Sequence, residues 1–442
     1  MSSSSSSSAA SVGASSAPEK APDDSSKIKT FLSILRKFIG VADIASVRFS
    51  LPAQLLEPIP NLEYWTYLDR PETFVSIGKS DEPLGRMLEV LRFWFTKDLK
   101  YIKGKLCKPY NSTLGEFFRC NWETEDTAPP IILSSSSPSG GRATNGTAAG
   151  ISNSKDGGGR VRVSFLTEQT SHHPPVSAFY VDCPERGISA RGFDQISAKF
   201  TGTSIRVGPG QHNLGIFVTL RNWGDEEYQL THPHAYVGGL LRGSLSISMV
   251  DTCYVICPKT RIKVILQYLE EGWLGRAQNR VEGVIFRYDP DNDNRTKISD
   301  VPEGDILARI SGSWQERIYY TLAGSKEPQL LIDITPLFPA SKIVPPEEDQ
   351  LPNESRRFWS EVTAAILEKR YSQATKLKQD LEERQREKAA ARRERNEEWV
   401  PRFFTGVVTP PGKPELTEEG KKVLRMMHEG NFKLEESRVT GA

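Results

Sequence analysis

The chain has 442 residues, 37% hydrophobic and 26% charged, with a formal net charge of +1. By length alone it holds about three domains or one large barrel with a sizeable core, and its near-zero charge excludes a global field drawing it to nucleic acid or anionic membrane. The five cysteines (Cys107, Cys120, Cys183, Cys253 and Cys257) are odd in number and form no CxxC, which reads as reduced core thiols of a cytosolic protein, not a disulfide framework or a zinc site.

Residues 1–26 are rich in Ser and Ala and poor in large apolar groups, the composition of a disordered tail; they lack the apolar core of a signal peptide. In residues 27–39, Ile28, Phe31, Leu32, Leu35 and Phe38 recur at helical spacing and Gly40 follows, predicting a short amphipathic helix. Its exposed charges are basic. A lid is the preferred reading, because permanent exposure of Phe31 and Leu35 invites aggregation. Residues 61–70 and 83–103 are predicted helical, with Leu84, Met87, Leu88, Leu91 and Phe95 as one apolar stripe.

From about 115 to 335 the period changes to two, as in Val161-Arg162-Val163-Ser164-Phe165 and Ile262-Lys263-Val264-Ile265. Many short strands without intervening helices predict a large antiparallel sheet, most simply closed as a barrel. Residues 134–159 are low in complexity and read as a flexible hairpin insertion. Residues 354–397 are densely charged with alternating sign, a helical composition. Trp399 and Phe403-Phe404 are expected to tuck onto the barrel, and the chain ends in a charged tail. No stretch reaches the ~18 apolar residues of a membrane span, so membrane contact is expected to be peripheral.

The octapeptide Glu168-Gln169-Thr170-Ser171-His172-His173-Pro174-Pro175 is the most unusual segment. Proline disfavours α geometry before it and cannot donate to a ladder, so the motif reads as a strand end with imidazoles at a rim. Rim imidazoles suit an anion, a metal or proton transfer. Adjacent strand residues point to opposite faces, so one metal could take both only if the strand bends. His232-Pro233-His234 reads as a turn between strands rather than a site.

Several blocks together resemble the oxysterol-binding-protein-related lipid-transfer family. The octapeptide is similar to its EQxSHHPP signature. Lys108-Pro109-Tyr110-Asn111 followed by Leu114-Gly115-Glu116 resembles KPxNPxLGE, with Ser112 in place of the family's proline. Asn353-Glu354-Ser355-Arg356 and Ile310-Ser311-Gly312-Ser313-Trp314 resemble the ESR and ISGxW elements, and the order agrees from about residue 27 to 405. The resemblance implies an α+β, predominantly β fold: a near-complete antiparallel barrel around an apolar lipid tunnel, with an N-terminal lid and a helical C-terminal region. It implies a tail at 1–26, a lid at 27–60, helices at 61–103, a barrel at 104–340, helices at 350–405 and a charged tail at 406–442.

The resemblance further implies that the tunnel takes phosphatidylinositol 4-phosphate in exchange for a sterol or phosphatidylserine. Lys108, Asn111, His172, His173, Lys378, Glu382 and Arg386 match the family's headgroup-binding positions, the last three as a K-x3-E-x3-R trio. Residues four apart share a helix face, and a monoester phosphate of about −1.5 to −2 charges needs several converging donors. Glu382 accepts only, so it is expected to orient Arg386 or bind inositol hydroxyls. After the 83–99 helix, where the resemblance implies polar residues that hold a sterol hydroxyl, the chain reads Lys100-Tyr101-Ile102-Lys103 without the expected Gln-Tyr pair, which weakens the sterol reading and leaves the second lipid open. No enzyme activity, cofactor, metal or nucleic acid is expected; the partners are lipids and, transiently, membrane surfaces, and the protein is expected to be a monomer. A phosphoinositide phosphatase and a lipid sensor or scaffold without net transfer are the competing readings; the first lacks a CxxxxxR loop or a carboxylate cluster.

Overall fold

Alternating apolar residues build the centre of the molecule. The computed structural model describes residues 24–47, 51–103, 108–133, 159–241, 245–270 and 278–435. Before the sheet come α1 (Asp24–Leu35), α2 (Asn61–Tyr64), α3 (Pro71–Val75), α4 (Pro83–Thr96) and α5 (Lys100–Lys103). The strands are β1 (Phe117–Glu125), β2 (Arg160–His172), β3 (Pro175–Cys183), β4 (Ile188–Asp194), β5 (Ile196–Phe200), β6 (Ile205–Pro209), β7 (Ile216–Leu220), β8 (Glu226–Leu230), β9 (His234–Gly238), β10 (Ser246–Cys257), β11 (Ile262–Tyr268), β12 (Arg280–Arg287), β13 (Ile306–Ser313), β14 (Arg317–Leu322) and β15 (Gln329–Asp333). After them come α6 (Ser355–Phe358), α7 (Ser360–Leu367), α8 (Tyr371–Glu394) and α9 (Glu418–His428).

The strands form one antiparallel sheet in the order β1-β2-β3-β4-β7-β8-β10-β11-β12-β13-β14-β15, with β5, β6 and β9 branching from β10. This is the large antiparallel sheet that the alternation predicted. The seam between β1 and β15 is filled from the chain itself. Ile343, past β15, exchanges backbone hydrogen bonds with Asn121 of β1 at 2.8 and 2.9 Å. Helices α2 and α3 pack on β1, and α4 packs on β15.

Period two sorts each strand's side chains between two cores. On β2, Val161, Val163 and Phe165 enter the interior cluster. Leu166 joins an outer cluster with Phe403, Phe404, Leu424 and Met427. Both faces of β1–β4 are therefore covered, the outer one by the C-terminal segment. The branch β5-β6-β9 carries α1: Ile28, Leu32 and Leu35 are buried against Phe200, Ile205 and Leu240. Phe31 is half-buried and also touches the cluster around Tyr110, Trp359 and Ile366. The Ile44 N–H donates to Ala198 O at 2.7 Å, continuing this attachment.

The two predicted early helices are each broken. Between 61 and 70 the helix stops at Tyr64, and Arg70 is extended (φ −133°) because Pro71 follows it. Between 83 and 103 it stops at Thr96 and resumes at Lys100, whose N–H donates to the Asp69 carboxylate at 2.9 Å. Helix α4 is not a one-stripe helix. Val90, Phe93 and Trp94 are buried as well as Met87, Leu88, Leu91 and Phe95, because it lies between sheet and loops. Its buried Glu89 accepts from the Gly78 N–H and the Ser80 hydroxyl at 2.9 and 2.6 Å.

Composition also conceals α9 within residues 406–442. Thr417 caps it by accepting from the Gly420 N–H at 3.1 Å, and Val423, Leu424 and Met427 are buried. The charged residues that dominate its composition occupy the opposite face. The 134–159 insertion lies outside the described residues except for Gly159, as does Cys107; the other four cysteines are buried free thiols.

Candidate functional site

The octapeptide divides into a buried half and an exposed half. Glu168, Gln169 and Thr170 are 1%, 3% and 0% exposed. Glu168 accepts from the Arg402 and Phe403 N–H groups at 2.7 and 2.8 Å. Burial pushes its carboxyl up to about 7, against the lowering effect of those two amides. Thr170 Oγ1 donates to Val407 O at 2.7 Å. These residues fasten the C-terminal segment to the barrel. β2 then ends at His172, and His173-Pro174 make the turn into β3, with His172 opposite Pro175. Both histidines are exposed.

Alternation predicted the two imidazoles on opposite faces, but their ring centroids lie only 4.5 Å apart. The strand register slips between Gln169 and Ser171, and the turn redirects the second ring. The pair is thus available to one ligand. Among the described residues no group of three or more His, Cys, Asp or Glu is placed to hold a metal ion.

The 108–116 loop adjoins the octapeptide through backbone. The Gly115 N–H donates to Gln169 O at 3.0 Å, and the Gln169 N–H to Glu116 O at 2.8 Å. Gly115 has φ +76°, and a Cβ there would lie 2.5 Å from the Trp399 ring, so glycine is required on both counts. Lys108 Nζ donates to Asn111 Oδ1 at 2.6 Å and to Pro109 O at 3.0 Å. Tyr110 is fully buried, stacked on Trp359 at 4.8 Å. Ser112, where the family has proline, is 5% exposed with its hydroxyl unpartnered. Rigidity here comes instead from Tyr110 and from Glu116. That carboxylate accepts from the Thr113 N–H, Ser355 Oγ and Trp359 Nε1 at 3.0, 2.7 and 3.2 Å.

Helix α8 carries the third group. Its apolar residues Leu377 and Leu381 pack in the cluster with Phe31 and Tyr110, and Thr375 Oγ1 accepts from the Ala53 N–H at 3.1 Å. One turn further, Lys378 is 4% exposed and donates to Glu382 Oε1 at 2.6 Å. Arg386 Nη2 lies 3.8 Å from Glu382 Oε2, while its Nη1 pairs with Glu383 at 2.6 Å. Arg386 is mostly exposed. Burial of an ammonium is tolerated because it is paired; four-residue spacing supplies the partner.

The seven predicted residues thus form three groups: the histidine turn, the Lys108–Asn111 pair and the Lys378–Glu382–Arg386 row. Residues 51–57 join the last two, since Ala53 bonds α8 and the Glu57 N–H donates to Lys108 O at 3.2 Å. The Gly115–Gln169 contact joins the first two.

No sequence motif marks a polar cluster inside the barrel: Tyr67, Asp69, Lys97, Asp98, Lys100, Asp194 and His232. Tyr67 OH donates to Asp194 Oδ1 at 2.6 Å. Lys97 pairs with Asp98, and Lys100 Nζ lies 3.3 Å from Asp69 and 3.2 Å from Asp98. His232, predicted as a simple turn residue, stacks on Tyr67 at 5.3 Å. Burial, then the nearby Lys97, push its imidazole down to about 3. These residues come from four separate segments, so no local pattern marks them.

A family model described as oxysterol-binding protein matches residues 30–365 and 340–429. Oxysterol-binding protein-like protein 1 of Schizosaccharomyces pombe is 44% identical over 470 residues, covering 91% of each chain. Human oxysterol-binding protein-related protein 9 is 31% identical over 80% of this chain and 44% of its own length. Among solved structures, the Osh1 ORD domain in complex with ergosterol superposes with TM-score 0.62 at 20% identity, over 90% of this chain and 88% of that one. The Osh3 ORD in complex with PI(4)P from Saccharomyces cerevisiae gives 0.61 at 20% identity, over 96% of each. The motifs, the open antiparallel sheet with its helical additions and these likenesses agree: the chain belongs to the oxysterol-binding protein family.

Proposed function

We propose that this protein is a lipid-transfer protein. In this reading it carries phosphatidylinositol 4-phosphate and, in exchange, a sterol or phosphatidylserine in one apolar tunnel. The observation that carries the reading is Lys378, almost fully buried yet paired with Glu382 at 2.6 Å on the helix face that also presents Arg386. A buried, pre-oriented ammonium beside an exposed guanidinium is a costly arrangement for mere surface pairing and a suitable one for a phosphate monoester. Lys108, His172 and His173 add donors, Asn111 orients Lys108, and Glu382 orients the two cations. The fold supports it too, since similar domains are solved with ergosterol and with PI(4)P.

Acyl chains must be hidden from water during transfer, and the interior cluster of the barrel supplies the apolar wall. Helix α1, with Ile28, Phe31, Leu32 and Leu35, closes over it and opens at a membrane. No helix among the described residues is long and apolar enough to cross a membrane, and contact in this reading is peripheral and transient, from the cytoplasm. Exchange needs no chemical step: each lipid displaces the other. The test is extraction of phosphatidylinositol 4-phosphate from vesicles by wild type and by His172→Ala/His173→Ala. The double variant is expected to lose extraction; unchanged extraction removes the histidines from the headgroup site.

A further inference from the structure

The outer face of the sheet carries a polar row beneath α9. Asn121, Ser164 and Asp182 share one rung across β1, β2 and β3. Period two explains the placement: Val163 and Phe165 enter the interior cluster, so Ser164 points outward. Helix α9 lies over this rung, with Leu424 and Met427 in the outer apolar cluster. Asn121 Nδ2 donates to Met427 O at 2.7 Å, and Arg162 Nη1 donates to His428 O. The helix is thus docked by polar as well as apolar contacts.

That docking leaves polar atoms over. Asn121 and Ser164 are each 1% exposed, yet Asn121 Oδ1, the Ser164 hydroxyl and His428 Nδ1 are enclosed with no hydrogen-bond partner. Buried polar groups are as a rule paired, and an unmet one costs free energy. The nearby carboxylates are already engaged: Asp182 holds Arg221 at 2.9 Å, and Glu185 holds His428 Nε2 at 3.0 Å. A carboxylate only accepts, so Nε2 carries the proton and Nδ1 of the neutral ring is an acceptor. Asn121 Oδ1 is an acceptor as well. The Ser164 hydroxyl is the one donor among the three.

A pocket of about 100 Å³ opens beside these atoms, lined by Ser164, Asp182 and His428. Leu424 and Pro184 give it apolar walls, and Arg425 and Glu429 complete the lining. One water needs about 10–15 Å³ of such space, so the pocket exceeds a single water several times over. Each water also needs two to four polar partners, more than three atoms supply to several waters. Water held that poorly is displaced with a gain by an apolar group. Charge is not called for, because Arg425 and Glu429 are of opposite sign and four residues apart on α9.

We propose that this pocket is a binding site for a small neutral alcohol or phenol. Its hydroxyl donates to His428 Nδ1 and accepts from Ser164, whose own hydroxyl turns about χ1 to meet it, while the carbon body packs on Leu424 and Pro184. A hydroxyl donates and accepts at a single atom, which matches one donor and one acceptor lining the same small space. A hydrocarbon of the same shape offers neither. Ser164 lies on the outer face, eight residues before His172 on β2, or about 26 Å at the rise of a strand. The site is therefore separate from the histidine turn and does not rest on the lipid-transfer reading.

The experiment uses the full chain with isotope-labelled methionine methyl groups, titrated with phenol and, separately, with toluene. Of the five methionines, Met427 and its neighbour Met426 lie on α9, whereas Met87 and Met249 pack with the interior cluster. Their NMR signals, assigned by substitution, distinguish the pocket from the barrel interior. Phenol is expected to shift the Met426 and Met427 signals saturably, with an affinity at least about fivefold above that of toluene, the worth of one neutral hydrogen bond. Ser164→Ala is expected to lose about fivefold of the phenol affinity and to leave that of toluene unchanged. A crystal of the wild type soaked in phenol should show the ring in the pocket with its oxygen bonded to Ser164 and His428, a result independent of the variant's folding. An equal response to phenol and toluene, a response of Met87 and Met249 alone, or only water in the pocket at saturating phenol overturns the proposal.

Discussion

Replacing Arg119 by Met tests how the C-terminal helices, and Lys378 with them, are anchored to the barrel. Arg119 on β1 grips Glu354, just before α6, with Nε–Oε1 3.0 Å and Nη2–Oε2 3.2 Å. The two side chains are 0% and 1% exposed. Burial raises the Glu354 pKa, and Arg119 works against that rise. Methionine fills the space of the arginine stem but leaves the carboxylate alone. In so dry a place Glu354 must then fold in its neutral form. Relative to an unfolded glutamate near 4.3, that protonation costs at most about 3.7 kcal/mol at pH 7 and about 1 kcal/mol at pH 5. The first figure agrees with the ~3–5 kcal/mol typical of a broken buried pair. Urea denaturation followed by circular dichroism, at both pH values, measures it. The loss should be large at pH 7 and shrink as pH falls, and Arg119→Met/Glu354→Met should recover most of it, because an apolar pair demands no desolvation of charge. A loss below about 1 kcal/mol at pH 7, or the same loss at pH 5, refutes the reasoning.

Lys378→Met should reduce phosphatidylinositol 4-phosphate extraction by about tenfold or more while changing stability by only about 1 kcal/mol, since Glu382 retains Arg386 nearby. Equal extraction by variant and wild type in the same vesicle assay would make the trio ordinary surface pairing. Burial pushes the Glu116 carboxyl up to about 7. The folded state therefore binds more protons than the unfolded one between about pH 4.5 and 7, and this group's contribution to stability is present below that window and lost as pH rises through it. Glu116→Gln keeps the Trp359 and Thr113 contacts, and the Ser355 hydroxyl can turn to accept. Its unfolding free energy should fall less steeply between pH 5 and 8 than that of wild type, as read from urea midpoints. Met427→Ala, at a fully buried position of α9, should cost about 2–5 kcal/mol; a cost near zero in the same titration would show α9 to be a dispensable tail.

Local pattern made the barrel legible, because inward and outward positions alternate with period two whatever the distant contacts. The strand runs around Val163 and Val264 show it. The amphipathic spacing of Ile28, Leu32 and Leu35 likewise marked α1, and four-residue spacing placed Lys378, Glu382 and Arg386 on one face. The resemblance supplied the remaining candidate rim residues, Lys108, Asn111, His172 and His173, through short contiguous motifs. What failed were signals averaged over composition. Helix α9 hides three buried apolar residues among charges, and α4 shows one stripe but is buried on nearly every side. The break at Tyr64 follows from Pro71, yet the break after Thr96 depends on Asp69, a residue 31 positions from the amide it receives.

The sequence by itself determined the family and the antiparallel sheet and supplied the candidate rim residues, because each is written in neighbouring positions or in a fixed local period. Only the tertiary structure decided that the two imidazoles meet at 4.5 Å, that Lys378 is buried rather than solvated, and that Asp194 has a tyrosine for its partner. It alone gathered five ionisable groups and His232 inside the barrel. Such groups are separated by up to 163 residues, from Asp69 to His232, and their charges and pairings are set by desolvation and proximity, which exist only once the chain has closed.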